Sequence, residues 1–485
     1  MINFEHISNF IGVTLIVLGV LMFTALPVSL ICESGDHWAI VKSCILTMGI
    51  GGGLWYYKFN TTGSLNRREA YLSVFLTWIA ISVFSMLPYL FTGGITDVVD
   101  IFFEAVAGIT TTGATTLNDI EALPEGLLYW RSMTQWIGGM GIILLGLAIF
   151  PMLGMGGAEL FVAENSGNLV DRIHPRVKEI AKWIWIIYLG MTVVLFGLLF
   201  IAGMNWFDAI NHAYTTIATG GFSTKNASVG HWDVPSIHYI IVIFMLLSGV
   251  NYSILYLGFS GNIKAIYRNE EIRWYAVIFA VLTIGVFFIV LPEYGGQTDV
   301  EEIFRHALFQ VSSILTTTGY TTTDYTAWNA TAVMIFFILF FVGACAGSTS
   351  GGIKLTRHIL FFKNTLLEFK RILHPRAIIP VKLNGNVVKG KTMTNIIIFL
   401  LLHIFLFVFG IFFVSFFGID FETNLGIVAS SLNNIGPALG EAGPTHTYSH
   451  LPGAVKIFLA FYMILGRLEL FTVLVLFSPY FWRRN

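Results

Sequence analysis

A chain of 485 residues that is 55% hydrophobic and only 11% charged, with a formal net charge of −1, has lipid rather than water as its main solvent. That excludes a soluble globular enzyme, and no nucleic-acid partner is expected. Three cysteines (Cys32, Cys44, Cys345) are odd in number and lack metal-ligand spacing, so they suit packing as small hydrophobes rather than a disulfide framework.

A helix needs about 20 mostly apolar residues to cross a bilayer. Ten windows meet that length: 7–32, 37–57, 69–91, 127–153, 180–202, 235–259, 272–292, 329–356, 392–417 and 453–480. They recur to the end of the chain, which excludes a signal peptide or single anchor as their explanation. Between the third and fourth, fifth and sixth, seventh and eighth, and ninth and tenth windows lie segments that are neither polar loops nor full spans.

Basic residues set the sidedness, because loops rich in Lys and Arg stay cytoplasmic. Lys58, Arg67 and Arg68, then Arg172, Arg176, Lys178 and Lys182, then Lys264, Arg268 and Arg273, then the run from Arg357 to Lys391, and finally Arg483 and Arg484 all fall on one side of a ten-span chain. Acids collect on the other, among them Asp97, Asp100, Glu104, Asp119, Glu121, Asp208, Glu301 and Asp420. Both termini are predicted inside and all four half-span segments outside.

Those four segments repeat one phrase: FFEAVAGITTTGATT (Phe102 to Thr116), NHAYTTIATGGFST (Asn211 to Thr224), FQVSSILTTTGYTTTD (Phe309 to Asp324) and IVASSLNNIGPALG (Ile427 to Gly440). In each, a short helical stretch runs into a glycine, placed at Gly113, Gly221, Gly319 and Gly436; Gly220 competes in the second copy, but GGFST aligns best on TGYTT through Gly221. One TTTG alone is a turn with satisfied hydroxyls. Four copies separated by an even number of crossings share one orientation, so they can surround an axis normal to the membrane. Non-helical backbone at that depth is tolerated where it lines water. Glycine lets carbonyl oxygens turn toward such an axis, and rings of carbonyls replace the hydration shell of monovalent cations.

With these phrases in place, the sequence resembles the Trk/Ktr/HKT superfamily of potassium transporters, and within it the TrkH-type bacterial subunits. The resemblance covers the whole chain and rests on TTTGATT, TGGFST, TTTGYTT and NNIGP as they stand here. It implies an all-α polytopic membrane protein with four span–pore loop–span repeats in pseudo-four-fold arrangement plus two extra N-terminal transmembrane helices. The segments would be 1–68 for that pair, 69–179, 180–271, 272–391 (with a cytoplasmic hairpin) and 392–485 for the repeats. It implies potassium uptake across a bacterial inner membrane through a gated channel-like pore. The K⁺-binding selectivity filter would comprise Thr111, Thr112 and Gly113; Thr219, Gly220 and Gly221; Thr317, Thr318 and Gly319; and Asn434, Ile435 and Gly436. A homodimer and a cytoplasmic nucleotide-binding ring of the TrkA type are its implied partners. Gly319→Ser is expected to weaken K⁺ selectivity with little loss of fold.

Two further features stand out. GACAGSTSGGIK interrupts the eighth window with glycines at 343, 347, 351 and 352, so that helix should break or bend, or else pack closely through small residues. The resemblance makes Gly343, Ala344, Cys345, Ala346, Gly347, Ser348, Thr349, Ser350, Gly351 and Gly352 an intramembrane gate loop beneath the filter. Arg467 lies inside the tenth window, where an ionisable residue is costly unless it faces protein or water. The resemblance implies a barrier to cations projecting into the pore; Glu469, two residues on, is no obvious partner.

On the cytoplasmic side DRIHPRV (Asp171 to Val177) and RILHPRA (Arg371 to Ala377) place Pro175 and Pro375 as helix stops, and Asn384-Gly385 between short apolar stretches signals a hairpin. This basic region suits lipid headgroups or the docking of the ring. No phosphate-binding G-x-x-x-x-G-K-[ST] loop and no catalytic constellation occurs, so the chain is expected to be no enzyme and to hold no nucleotide site of its own. The competing function is a secondary active carrier coupling K⁺ to H⁺ or Na⁺. Such carriers commonly use inverted repeats, whereas these four share one orientation.

Overall fold

The computed structural model describes residues 3–57, 66–144, 173–296 and 298–483. Two helices and a short extension come first: α1 (Phe4–Phe23), α2 (Ala25–Ile31) and α3 (His37–Tyr57). α1 and α3 approach through small residues: a Cβ on Gly12 would stand 2.8 Å from the Gly51 carbonyl oxygen, so any larger residue would push the pair apart.

The rest of the chain repeats one unit: a long apolar helix, a short helix, a turn and a second helix. The first unit contains α4 (Arg67–Ser85) with its continuation α5 (Leu87–Thr92), α6 (Val98–Ile109) and α7 (Glu125–Leu144). The second has α8 (Ile173–Ile201), α9 (Trp206–Ile217), α10 (Pro235–Ser248), α11 (Tyr252–Phe259) and α12 (Ile263–Arg268). The third has α13 (Glu270–Val290), α14 (Val300–Leu315), α15 (Ala330–Leu339) and α16 (Leu355–Leu373), followed by strands β1 (Lys382–Leu383) and β2 (Asn386–Val387). The fourth has α17 (Gly390–Ser415), α18 (Phe421–Asn433), α19 (Gly453–Arg467), α20 (Leu470–Leu474) and α21 (Pro479–Trp482).

The short helices α6, α9, α14 and α18 are 12 to 16 residues long, or roughly 18–24 Å at 1.5 Å per residue, and cannot cross a hydrocarbon core of about 30 Å. Each begins at an Asx residue (Asp97, Asn205, Asp299, Asp420) whose side chain accepts a backbone N–H of the first turn. Each is almost wholly buried over its last two turns, because the longer helices wrap around it.

Among the described residues, six of the ten expected windows appear as helices long and apolar enough to span, and two more as broken pairs. α10 and α11 meet at 103°, and α19 meets the Leu470–Phe477 stretch at 113°. The eighth window is not one span: α15 stops at Leu339, residues 340–354 are irregular, and α16 follows as a separate helix from Leu355. The fourth window begins as α7, and its end at 145–153 lies outside the described residues, as do Lys58, Asp171, Arg172 and Arg484. Large apolar side chains such as Phe288, Leu401 and Phe412 are exposed on the outer helices, as a lipid-facing surface requires.

Two local expectations fare differently. Asn384 (φ 50°) and Gly385 (φ 82°) turn β1 into β2 with Lys382 opposite Val387, the positive-φ pair that a two-residue hairpin needs. Pro375 follows the end of α16, but Pro175 lies within the described part of α8, Ile173–Ile201, so α8 continues past it rather than stopping there.

Candidate functional site

The four short helices all deliver their C-terminal ends to the four glycine turns, so four sets of terminal carbonyls and the negative ends of four helix dipoles meet at one place. The chain leaves each helix by the same route. The amide of Thr112 donates to the Ala107 carbonyl at 2.9 Å, that of Gly220 to Thr215 at 2.8 Å, that of Thr318 to Ser313 at 2.8 Å and that of Ile435 to Ser430 at 3.1 Å. The residue two before each glycine is left-handed: Thr111 and Thr219 at φ 52°, Thr317 and Asn434 at φ 54°. For a β-branched threonine that conformation is strained and persists only where the surroundings over-determine it. Here the hydrogen bonds just named do so.

Gly113, Gly221, Gly319 and Gly436 are themselves at φ 80°, 78°, 82° and 103°, which selects Gly221 over Gly220 as the second copy's counterpart. Their close approaches form a closed series. A Cβ on Gly113 would stand 2.1 Å from the Gly220 carbonyl oxygen; on Gly221, 2.0 Å from that of Thr318; on Gly319, 2.1 Å from that of Ile435; on Gly436, 2.6 Å from that of Thr112. The contacts pass from the first repeat to the second, third, fourth and back. The twelve residues from Thr111 to Gly436 expected in a filter are thereby gathered into one ring, and no side chain fits at any of its four glycines.

Against the ring lies the segment from Gly343 to Gly352. Its neck is closed by the Gly343 amide on the Ile353 carbonyl (2.9 Å) and the Leu355 amide on Ala344 (3.0 Å). Its middle touches the second, third and fourth repeats, and Arg467 links it to the first. The Gly351 amide donates to the Thr317 hydroxyl (2.6 Å), and the Thr349 hydroxyl to the carbonyls of Ile217 (3.1 Å) and Ser248 (3.2 Å). Arg467 Nη1 donates to the Thr349 carbonyl (2.8 Å), and its Nη2 to the Gly138 carbonyl of α7 (3.3 Å). Arg467 is the last residue of α19, where the span breaks, not the middle of a continuous helix; only 3% of it is exposed, so it does not snorkel. Glu469 pairs instead with Arg357 at 2.6 Å.

Residues 36–484 match the family described as TrkH, a cation transport protein. The chain belongs to the TrkH family. It is 38% identical to the Trk system potassium uptake protein TrkH of Escherichia coli K12 over 99% of this chain and all of the relative. It is 34% identical to TrkG of the same strain over 95% of each. It superposes on the crystal structure of the potassium transporter TrkH from Vibrio parahaemolyticus with a TM-score of 0.91 over 99% of this chain, at 34% identity. The relatives are named as transport proteins, not enzymes, and the long apolar helices make this a multi-pass membrane protein of the same kind.

Several residues that hold this TrkH-family site together escaped a single-sequence reading. Glu104 reads as an outward acid, but it is fully buried: it receives the Thr115 hydroxyl and Thr116 amide (both 2.6 Å) and pairs with Arg131 at 3.2 Å. Arg131 also stacks 3.4 Å over Phe222 and donates to the Ser223 carbonyl at 3.1 Å, linking the first two turns. Glu271 accepts the Ala346 amide at 2.8 Å and the Thr356 amide at 3.2 Å, pinning both sides of the 343–352 segment. The partners lie up to a hundred residues apart, so the only local signal was the ionisable type itself inside an apolar window.

Proposed function

We propose that the chain takes up K⁺ across a bacterial inner membrane, with both termini cytoplasmic. The ion passes through a channel-like pore whose filter is the ring of Thr111–Gly113, Thr219–Gly221, Thr317–Gly319 and Asn434–Gly436. The observation that carries this reading is the closed series of glycine-to-carbonyl contacts: four chain-connected turns with the same left-handed residues, at the carbonyl ends of four helices, suit a dehydrated monovalent cation. Potassium as the cargo comes from the names of the relatives, which are potassium uptake proteins. The segment Gly343–Gly352, held by Arg467 and Glu271 directly under Thr317, acts as the gate, and Arg467 as a positive barrier in the path.

Control falls to a cytoplasmic nucleotide-binding ring of the TrkA type, and the working assembly contains two copies of this chain. What supports a docking surface is α16 and the loop after it: Phe362, Phe369, Ile372, Leu373 and Ile378 are exposed beside Lys370 and Arg376, a mixed apolar and basic face on the side that the basic loops mark as cytoplasmic.

Purified protein in planar bilayers with opposed K⁺, Na⁺ and H⁺ gradients tests the conduit. A reversal potential that tracks the K⁺ gradient alone is expected. Dependence on the proton or sodium gradient would replace this reading with a coupled carrier, for which the bent helices at 103° and 113° would then be the moving parts.

A further inference from the structure

The ring is not uniform in what backs it. One residue before each filter glycine stand Thr112, Gly220, Thr318 and Ile435. In the first repeat the Thr112 hydroxyl meets that of Thr110 at 2.8 Å, and in the third the Thr318 hydroxyl meets that of Thr316 at 2.8 Å. The second repeat has Ala218 and Gly220 at these two places, and so neither hydroxyl. Yet Gly220 is outside the left-handed region, so its backbone does not require glycine.

Gln135 of α7 explains the glycine. A Cβ on Gly220 would stand 2.4 Å from Gln135 Cδ and 2.4 Å from its Oε1: the carboxamide occupies the space that a side chain at 220 would take. Gln135 is fully buried; its Nε2 donates to the Gly220 carbonyl at 2.7 Å, and its Oε1 accepts the Phe222 amide at 3.0 Å. Among the described residues no side chain donates to the matching carbonyls of Thr112, Thr318 or Ile435. A carbonyl oxygen that already receives an N–H presents less of its field to an ion, and discrimination between cations depends on the number and strength of the ligands.

We propose that Gln135 is a specificity-determining residue of the pore: reaching in from α7, its carboxamide takes the place of the threonine that the first and third repeats have here and, by bonding the Gly220 carbonyl, sets that carbonyl apart from its counterparts at Thr112, Thr318 and Ile435. This rests on the ring being the K⁺ filter. The tests are bi-ionic reversal potentials of purified protein in bilayers, K⁺ against Na⁺ and K⁺ against Rb⁺, for the parent, for Gln135→Met, and for the pair Gln135→Ala with Gly220→Thr. Met keeps the bulk and loses both hydrogen bonds; the pair restores a threonine where the first and third repeats have one. A parent with no preference for K⁺ overturns the filter itself. With a K⁺-selective parent, Gln135→Met is expected to lower the K⁺ over Na⁺ permeability ratio by at least about threefold, the lower range of what one hydrogen bond is worth, and the pair to recover most of it. An unchanged ratio in Gln135→Met overturns the proposal for Gln135, as does a pair that folds without recovering selectivity. If Gln135→Met fails to fold, the pair alone decides by the same criterion, and failure of both to fold makes Gln135 a folding residue and overturns the proposal.

Discussion

Arg467 and Thr349 lie 118 residues apart and are joined by one hydrogen bond of 2.8 Å from the guanidinium to the backbone carbonyl at the middle of the 343–352 segment. The bond holds the segment from the repeat farthest along the chain, and in the proposed function the charge is a barrier to a cation leaving the ring. A hydrogen bond to a charged group contributes about 1.5–3 kcal/mol. If most of that favours the closed segment, Arg467→Met should raise Rb⁺ uptake into proteoliposomes by about tenfold, since about 1.4 kcal/mol is a factor of ten. Uptake equal to the parent's, with protein equally monodisperse, would show that neither the bond nor the charge limits flux.

Removing Ala344 to Gly352 tests the segment itself. The excised stretch leaves Gly343 and Ile353 to be joined, and the Gly343 amide already lies 2.9 Å from the Ile353 carbonyl, so the neck closes without dragging α15 or α16. The shortened protein should fold and conduct faster than Arg467→Met. Equal flux in the deletion and the parent would remove the gate assignment while leaving the ring intact.

The Glu104–Arg131 pair predicts a stability effect without a gating one. Both members are almost fully buried, at 0% and 2%, so removing one leaves an unpaired charge with nowhere to be solvated. The usual cost is about 3–5 kcal/mol, whereas replacing both by apolar residues is often close to neutral. Arg131→Met should therefore lower the apparent melting temperature of the detergent-solubilised protein markedly, and Glu104→Leu with Arg131→Met should recover much of the loss. Additive losses in the double variant would mean that the pair does not act as a unit.

How far the sequence disclosed the site follows from the range of each signal. The four turns were legible because a glycine after an apolar half-span is a local pattern and occurs four times, so Gly113, Gly221, Gly319 and Gly436 fell in register, and the backbone agrees with Gly221 over Gly220. The break in the eighth window was announced by its four glycines. The breaks after Ser248 and after Arg467 were not: the second turns at Leu468 and Glu469, with Glu469 at φ 64°, a conformation no composition rule assigns to Glu. Glu104, Gln135 and Glu271 went unrecognised because each acts on backbone groups of a distant segment. Sidedness rules count charges but do not see that a carboxylate in an acidic half has turned inward to meet Arg131.

That geometry also changes what Gly319→Ser should do. The sequence suggests a mild substitution, a hydroxyl added among threonines. Gly319 instead stands at φ 82° with its missing Cβ 2.1 Å from the Ile435 carbonyl oxygen and 2.8 Å from Pro437 Cδ. Left-handed backbone costs an L residue about 1–2 kcal/mol, and the overlap with a ring carbonyl must be relieved by moving the fourth repeat's turn. Gly319→Ser should therefore lose K⁺ over Na⁺ selectivity and thermal stability together, with Gly221→Ser similar and Gly436→Ser milder, because its Cβ would stand 2.6 Å from the Thr112 oxygen. Gly190→Ser on α8, where a Cβ meets nothing within 4 Å, is the control that should change neither. Reversal potentials and melting curves on the four variants separate the outcomes. Selectivity lost at full stability would mean that the turns yield locally and the ring is softer than its contacts imply, whereas stability lost at full selectivity would place the ion's discrimination elsewhere in the pore.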